Sequence, residues 1–131
     1  MSALRRKILL VDDDKDFLEG TKIILEKNNF EVATAVSGKE CLDKLNSFKP
    51  DLLILDIMMP EKSGFEVCKE IKSNLEYSKI PVLMLTALKQ KLSQTSYSIS
   101  EGLDLEAEDY IDKPVKPEEL ISRINNLLEK R

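Results

Sequence analysis

Short apolar runs that stop abruptly at polar residues alternate along this chain with longer segments whose apolar positions recur every three or four residues. The run Leu52-Leu53-Ile54-Leu55 ends in Asp56. A continuous apolar stretch of this length reads as a strand buried on both faces. Lys7 to Val11 ends likewise in Asp12, Asp13 and Asp14, Ile80 to Leu85 ends in Thr86, and Asp109 to Asp112 ends in Lys113-Pro114. Glu31 to Ala35 supplies a fifth strand.

Helical patterns fill the gaps. Asp14 can cap a helix over Lys15 to Lys27, with Phe17, Leu18, Thr21, Ile24 and Leu25 on one face and Asn28-Asn29 as its turn. Ser37-Gly38-Lys39-Glu40 reads as a capping box opening a helix that buries Cys41, Leu42 and Leu45 and stops before Pro50. The loop through Met58-Met59-Pro60 runs to Gly64, and the next helix turns Val67, Cys68 and Ile71 inward. Pro117 suits the first position of the last helix, Glu118 and Glu119 complement its dipole, and Leu120, Ile121, Ile124, Leu127 and Leu128 form its stripe. Ala87 to Glu108, rich in Lys, Gln and Ser, reads as a loop followed by a helix from about Gln94 to Leu105.

Strict alternation of strand and helix implies parallel pairing, right-handed crossovers and helices on both faces. The expected fold is therefore α/β, a flavodoxin-like (βα)5 doubly wound sheet of five parallel strands in the order 2-1-3-4-5. Its switch point, where ligands bind, falls between the first and third strands, the two that end in acids.

Composition narrows the chemistry. The 131 residues suit one domain, expected to span 1–131 with no output domain behind it. A net charge of −4 argues against direct nucleic-acid binding. Histidine is absent, which excludes histidine acid–base catalysis, histidine metal ligation and a phosphohistidine carrier role. Two cysteines, Cys41 and Cys68, fall on helices among apolar residues and define neither a disulfide framework nor a zinc site. The apolar run near the start is too short for a signal peptide or membrane insertion, so a cytoplasmic setting is expected.

With the four strand ends on one rim, Asp12, Asp13 and Asp56 meet in a single crevice beside Thr86 and Lys113. Two unit charges about 4 Å apart repel by roughly 4 kcal/mol at an effective dielectric near 20, a cost that a bound cation or a proton relieves. Hard oxygen ligands favour Mg²⁺, with Mn²⁺ or Ca²⁺ as substitutes. A carboxylate can act as nucleophile toward phosphorus. Transfer then requires neutralised equatorial oxygens, which a metal, the Thr86 hydroxyl and the Lys113 ammonium can supply. A cis Lys113-Pro114 bond would aim that ammonium inward.

These segments, ILLVDDD, DLLILDIMMPEKSG, PVLMLTA and DYIDKP, are in order and suitably spaced. Over nearly its whole length the chain resembles the receiver domain of two-component response regulators. The resemblance implies that Asp56 accepts phosphate from the phosphohistidine of a sensor histidine kinase or phosphotransfer protein. It implies that Asp12, Asp13 and the Met58 carbonyl join Asp56 in holding Mg²⁺. It further implies that Thr86 and Lys113 contact the phosphoryl group, and that Thr86 and Tyr110 form a switch that alters the face presented to a downstream protein. A monomer or a phosphorylation-dependent dimer fits that role. The stretch between Thr86 and Lys113 is longer than in typical relatives. Met58 and Leu88, bulky and apolar where the family's attacking water passes, predict slow self-dephosphorylation.

Two other readings compete. Asp12 and Asp14 form a D-x-D pair like that of haloacid-dehalogenase-type phosphatases, but Lys15-Asp16 follows where that family continues differently. A phosphorylation-independent adaptor of the same fold has no use for the intact acid set.

Overall fold

The computed structural model describes residues 5–86 and 107–129. Among the described residues nine elements follow one another: β1 (Arg6–Val11), α1 (Lys15–Lys27), β2 (Phe30–Ala35), α2 (Gly38–Phe48), β3 (Leu52–Asp56), α3 (Gly64–Lys72), β4 (Val82–Thr86), β5 (Asp109–Asp112) and, as α4, Pro117–Glu129. The strands form one parallel sheet in the order β2-β1-β3-β4-β5, as the alternation predicts. The expected helix from Gln94 to Leu105, and Leu88, lie outside the described residues.

Successive strand side chains point to opposite faces, which explains why the central strands are apolar throughout. Leu9, Val11, Leu53, Leu55, Val82 and Met84 pack with Cys41 and Leu45 of α2 and Val67, Cys68 and Ile71 of α3. Ile8, Leu10, Leu52, Ile54, Leu83 and Leu85 pack instead with Leu18 and Leu25 of α1 and Leu120, Ile124 and Leu127 of α4. Two apolar layers thus clamp the sheet, and the polar residues that end its strands are left at the carboxyl rim. Among the described residues no helix is long and apolar enough to cross a membrane.

Helix starts follow the local signals with one change. Asp14 accepts from the Phe17 amide, and Ser37 accepts from the Glu40 amide. The Glu40 carboxylate, however, takes the Val36 amide at 2.7 Å, so the pair at Ser37 is not the reciprocal box the motif implied. A reciprocal box opens α3 instead at Ser63 and Glu66, an S-x-x-E signal in the sequence. Strand starts shift slightly: β2 begins at Phe30, β1 at Arg6, and β4 at Val82 rather than Ile80. Ile80 closes a turn onto the Tyr77 carbonyl, and Pro81 has no amide to donate.

Gly64 fixes how closely α3 approaches β3. A Cβ there would stand 2.3 Å from the Asp56 carbonyl oxygen and 2.8 Å from Ile57 Cα. The Gly64 amide donates to the Ile57 carbonyl at 2.7 Å. Only glycine lets the loop after Asp56 fold back this tightly.

Candidate functional site

Parallel register assembles the acids. Val11 pairs with Leu55, so the next residue on each strand, Asp12 and Asp56, falls side by side at the rim. Both are fully buried, while neighbouring Asp13 is exposed. One carboxylate oxygen from each of Asp12, Asp13 and Asp56 lies within 4.8 Å of the others. The Asp14 amide donates to Asp12 Oδ1 at 3.0 Å, which ties the β1 turn to the cluster.

Lys113 enters from the far side of β4. Its backbone amide donates to the Thr86 carbonyl at 2.7 Å, and its bond to Pro114 is cis. Its ammonium donates to Asp12 Oδ2 at 2.8 Å and lies 3.5 Å from Asp56 Oδ1. Burial pulls the Lys113 pKa down, but the hydrogen bond to Asp12 and the charges of Asp56 and Asp12 outweigh it, so the pKa stands above its ordinary value. The ammonium is thus held charged, one cation against three carboxylates.

Thr86 is buried at the end of β4, where the residue before it, Leu85, pairs with Asp56. Met58 is half-buried two residues past Asp56, packed against the α2–α3 layer. Tyr110 is half-buried on β5 against the same layer. Burial, then the neighbouring Cys68 and Glu108, raise its phenol pKa. The structure therefore gathers Asp12, Asp13, Asp56 and Lys113 into contact range and sets Thr86 at the adjoining strand end. Tyr110 stands in the next strand over from Thr86.

One participant was not foreseen. The Lys113 ammonium lies over the Phe17 ring, 4.9 Å from its centroid. In the sequence Phe17 is only one more apolar position on α1, and no local signal marks it as a neighbour of Lys113, 96 positions away.

The donor set suits a hard divalent cation: three carboxylates, no sulfur and no imidazole. A doubly wound sheet with such an acidic crevice at its switch point defines the class, a phosphate- or metal-handling α/β domain. Comparison with known proteins makes it specific. The family model described as response regulator receiver domain matches residues 8–125, and the chain belongs to that family. The alkaline phosphatase synthesis transcriptional regulatory protein PhoP of Bacillus subtilis is 37% identical over 125 residues, covering 95% of this chain and 49% of PhoP. The DNA-binding response regulator MtrA of Mycolicibacterium smegmatis is 35% identical, covering 95% of this chain and 51% of its own. The chain spans about half the length of these curated relatives. Among solved structures, a putative response regulator from Chloroflexus aurantiacus superposes with TM-score 0.84 at 33% identity, covering 95% of this chain and 98% of that one. The Vibrio cholerae chemotaxis protein CheY4 gives 0.82 at 30% identity, covering 94% and 98%.

Proposed function

We propose that this receiver domain is a phosphorylation-activated switch whose acceptor is Asp56. The observation that carries the reading is the clustering of Asp12, Asp13 and Asp56 oxygens within 4.8 Å, with the Lys113 ammonium against two of them. An Asp56 oxygen attacks the phosphorus of a phosphohistidine on a sensor histidine kinase or phosphotransfer protein. The P–N bond breaks, its electron pair returns to the imidazole, and an acyl phosphate remains on Asp56. Lys113 then faces the phosphoryl oxygens as a point charge, and the Thr86 hydroxyl donates to another oxygen. Asp12, Asp13, Asp56 and the Met58 carbonyl are the groups that would hold Mg²⁺, or Mn²⁺ in its place. That ion, when bound, supplies further neutralisation of phosphoryl charge.

The new charge favours a state in which Thr86 moves inward and Tyr110 fills the space behind it. Moving such an equilibrium from about 1:99 to 99:1 needs about 5.5 kcal/mol of differential stabilisation. The changed face is read by a downstream protein. The domain acts as a switch and not as a turnover enzyme; family membership over residues 8–125 disfavours the phosphatase reading. As one receiver domain of 1–131, it takes its output from a partner or from further sequence of the kind that makes up the other half of PhoP and MtrA.

The test is intact-mass spectrometry after incubation with a small phosphodonor and Mg²⁺. One phosphoryl group on the wild type and none on Asp56→Asn is the expected result. Equal uptake by both proteins, or steady hydrolysis of a phosphomonoester, would reject it. Slow loss of the group is expected because Met58 offers no polar atom on its side chain to orient water, and Met58→Asn should speed the decay.

A further inference from the structure

Lysine is a compact charge on a stem of four rotatable bonds, and placing it costs rotamer entropy. The two acids hold the Lys113 ammonium unequally. Asp12 draws it to 2.8 Å, leaving it 3.5 Å from Asp56. With 20% of the side chain exposed, water competes for the amine as well. Among the described residues a further restraint is aromatic, because the ammonium lies over the Phe17 ring at 4.9 Å. Phe17 is itself anchored. It is half-buried against the layer formed with α1 and α4, and its amide donates to Asp14 Oδ1 at 3.2 Å in the α1 cap. The Asp14 amide in turn donates to Asp12 Oδ1, and Asp12 Oδ2 accepts from Lys113. The contacts form a closed circuit, Asp12 to Asp14 to Phe17 to Lys113 and back to Asp12.

We propose that Phe17 is a positioning residue for phosphoryl transfer: its ring face holds the Lys113 ammonium beside Asp56. This rests on Asp56 being the acceptor. The ring's negative face attracts the cation without a competing hydrogen bond, so the amine keeps its donors for Asp12, Asp56 and an incoming phosphoryl group. Leucine fills similar space against the core but has no such face.

The experiment uses the full chain, and thermal melts first confirm that each variant is folded. Phe17→Leu should slow acylation of Asp56 by a small phosphodonor about three- to tenfold, and Phe17→Tyr should stay within about twofold of wild type. In a Lys113→Ala background, Phe17→Leu should add almost nothing, because the ring acts through the amine. An equal loss in both backgrounds, no loss at all, or failure of Phe17→Tyr to restore the rate would overturn the proposal. Placement is also read without phosphorylation. In the NMR spectrum the Lys113 ε-methylene protons should show an upfield ring-current shift that survives Phe17→Tyr and vanishes in Phe17→Leu. Its absence from the wild type overturns the proposal. Phosphoryl uptake by Asp56→Asn strikes instead at the acceptor assignment, which the ring-current shift does not depend on.

Discussion

The two ends of the sheet both hold charged side chains, and they hold them differently. At the amino-terminal end, Lys72 is 5% exposed and donates to the Ser78 carbonyl, the Ile80 carbonyl and Glu108 Oε2. The other oxygen of Glu108 accepts the Val82 amide at 2.6 Å. Nearby, the Lys7 amide donates to Asp51 at 2.8 Å and its ammonium reaches the Phe48 carbonyl. Each cation there is matched by acceptors from the chain itself. At the carboxyl rim, three carboxylates cluster, and among the described residues the Lys113 ammonium lies against two of them, Asp12 and Asp56. Matched charge fastens elements together, whereas surplus negative charge is relieved by a cation or a proton.

Five experiments sharpen or break that contrast, in descending order of expected effect. Gly64→Ala drives a Cβ into the backbone after Asp56 and should cost about 3 kcal/mol or more, read as a lowered urea midpoint. A midpoint near wild type would mean the rim is looser than its geometry. Magnesium chloride should stabilise the wild type by about 2.7 kcal/mol at a hundredfold excess over its dissociation constant, and do far less for Asp13→Asn. Glu108→Ala removes the partner of a buried ammonium and of the Val82 amide, and should lower stability by about 2 kcal/mol in chemical denaturation.

Asp13→Asn also removes one negative charge, but from the crowded end. Without divalent ions it should raise stability by roughly 0.5 kcal/mol, modest because Asp13 is exposed. Opposite signs at Glu108 and Asp13 are the direct signature of the contrast, and matching signs would dissolve it. The interior gives a reference titration away from both ends. Burial pushes the Cys41 thiol up from 9.0 to about 12. The unfolded thiol loses its proton first, so this contribution to stability is complete below pH 9 and drains away as pH rises from 9 toward 12. At pH 8.5, iodoacetamide should modify Cys41 only after unfolding, and rapid labelling of the folded chain would contradict its burial.

Much of the design was legible in the chain. Continuous apolar runs such as Leu52 to Leu55 announced strands covered on both sides, and alternation with amphipathic segments implied the parallel sheet and its order. Asp14, Ser37 and Pro117 marked their helices. The reciprocal box at Ser63 and Glu66 is an equally local S-x-x-E signal, with Gly64 as the first residue of its helix. Glu40 reached Val36 instead of Ser37 because a side chain chooses among nearby amides by geometry that spacing does not resolve.

What the sequence determined by itself was period and punctuation: where strands and helices run, and that their polar endings are acids, a threonine and a lysine. Those are local properties of neighbouring residues. Only the tertiary structure decided which endings meet. Pairing of Val11 with Leu55 laid Asp12 beside Asp56, and the fold carried Lys113 over to both acids and set Phe17 beneath its ammonium. Such contacts join residues far apart in the chain, so their geometry exists only once the sheet has closed its register and the helices have packed on its two faces.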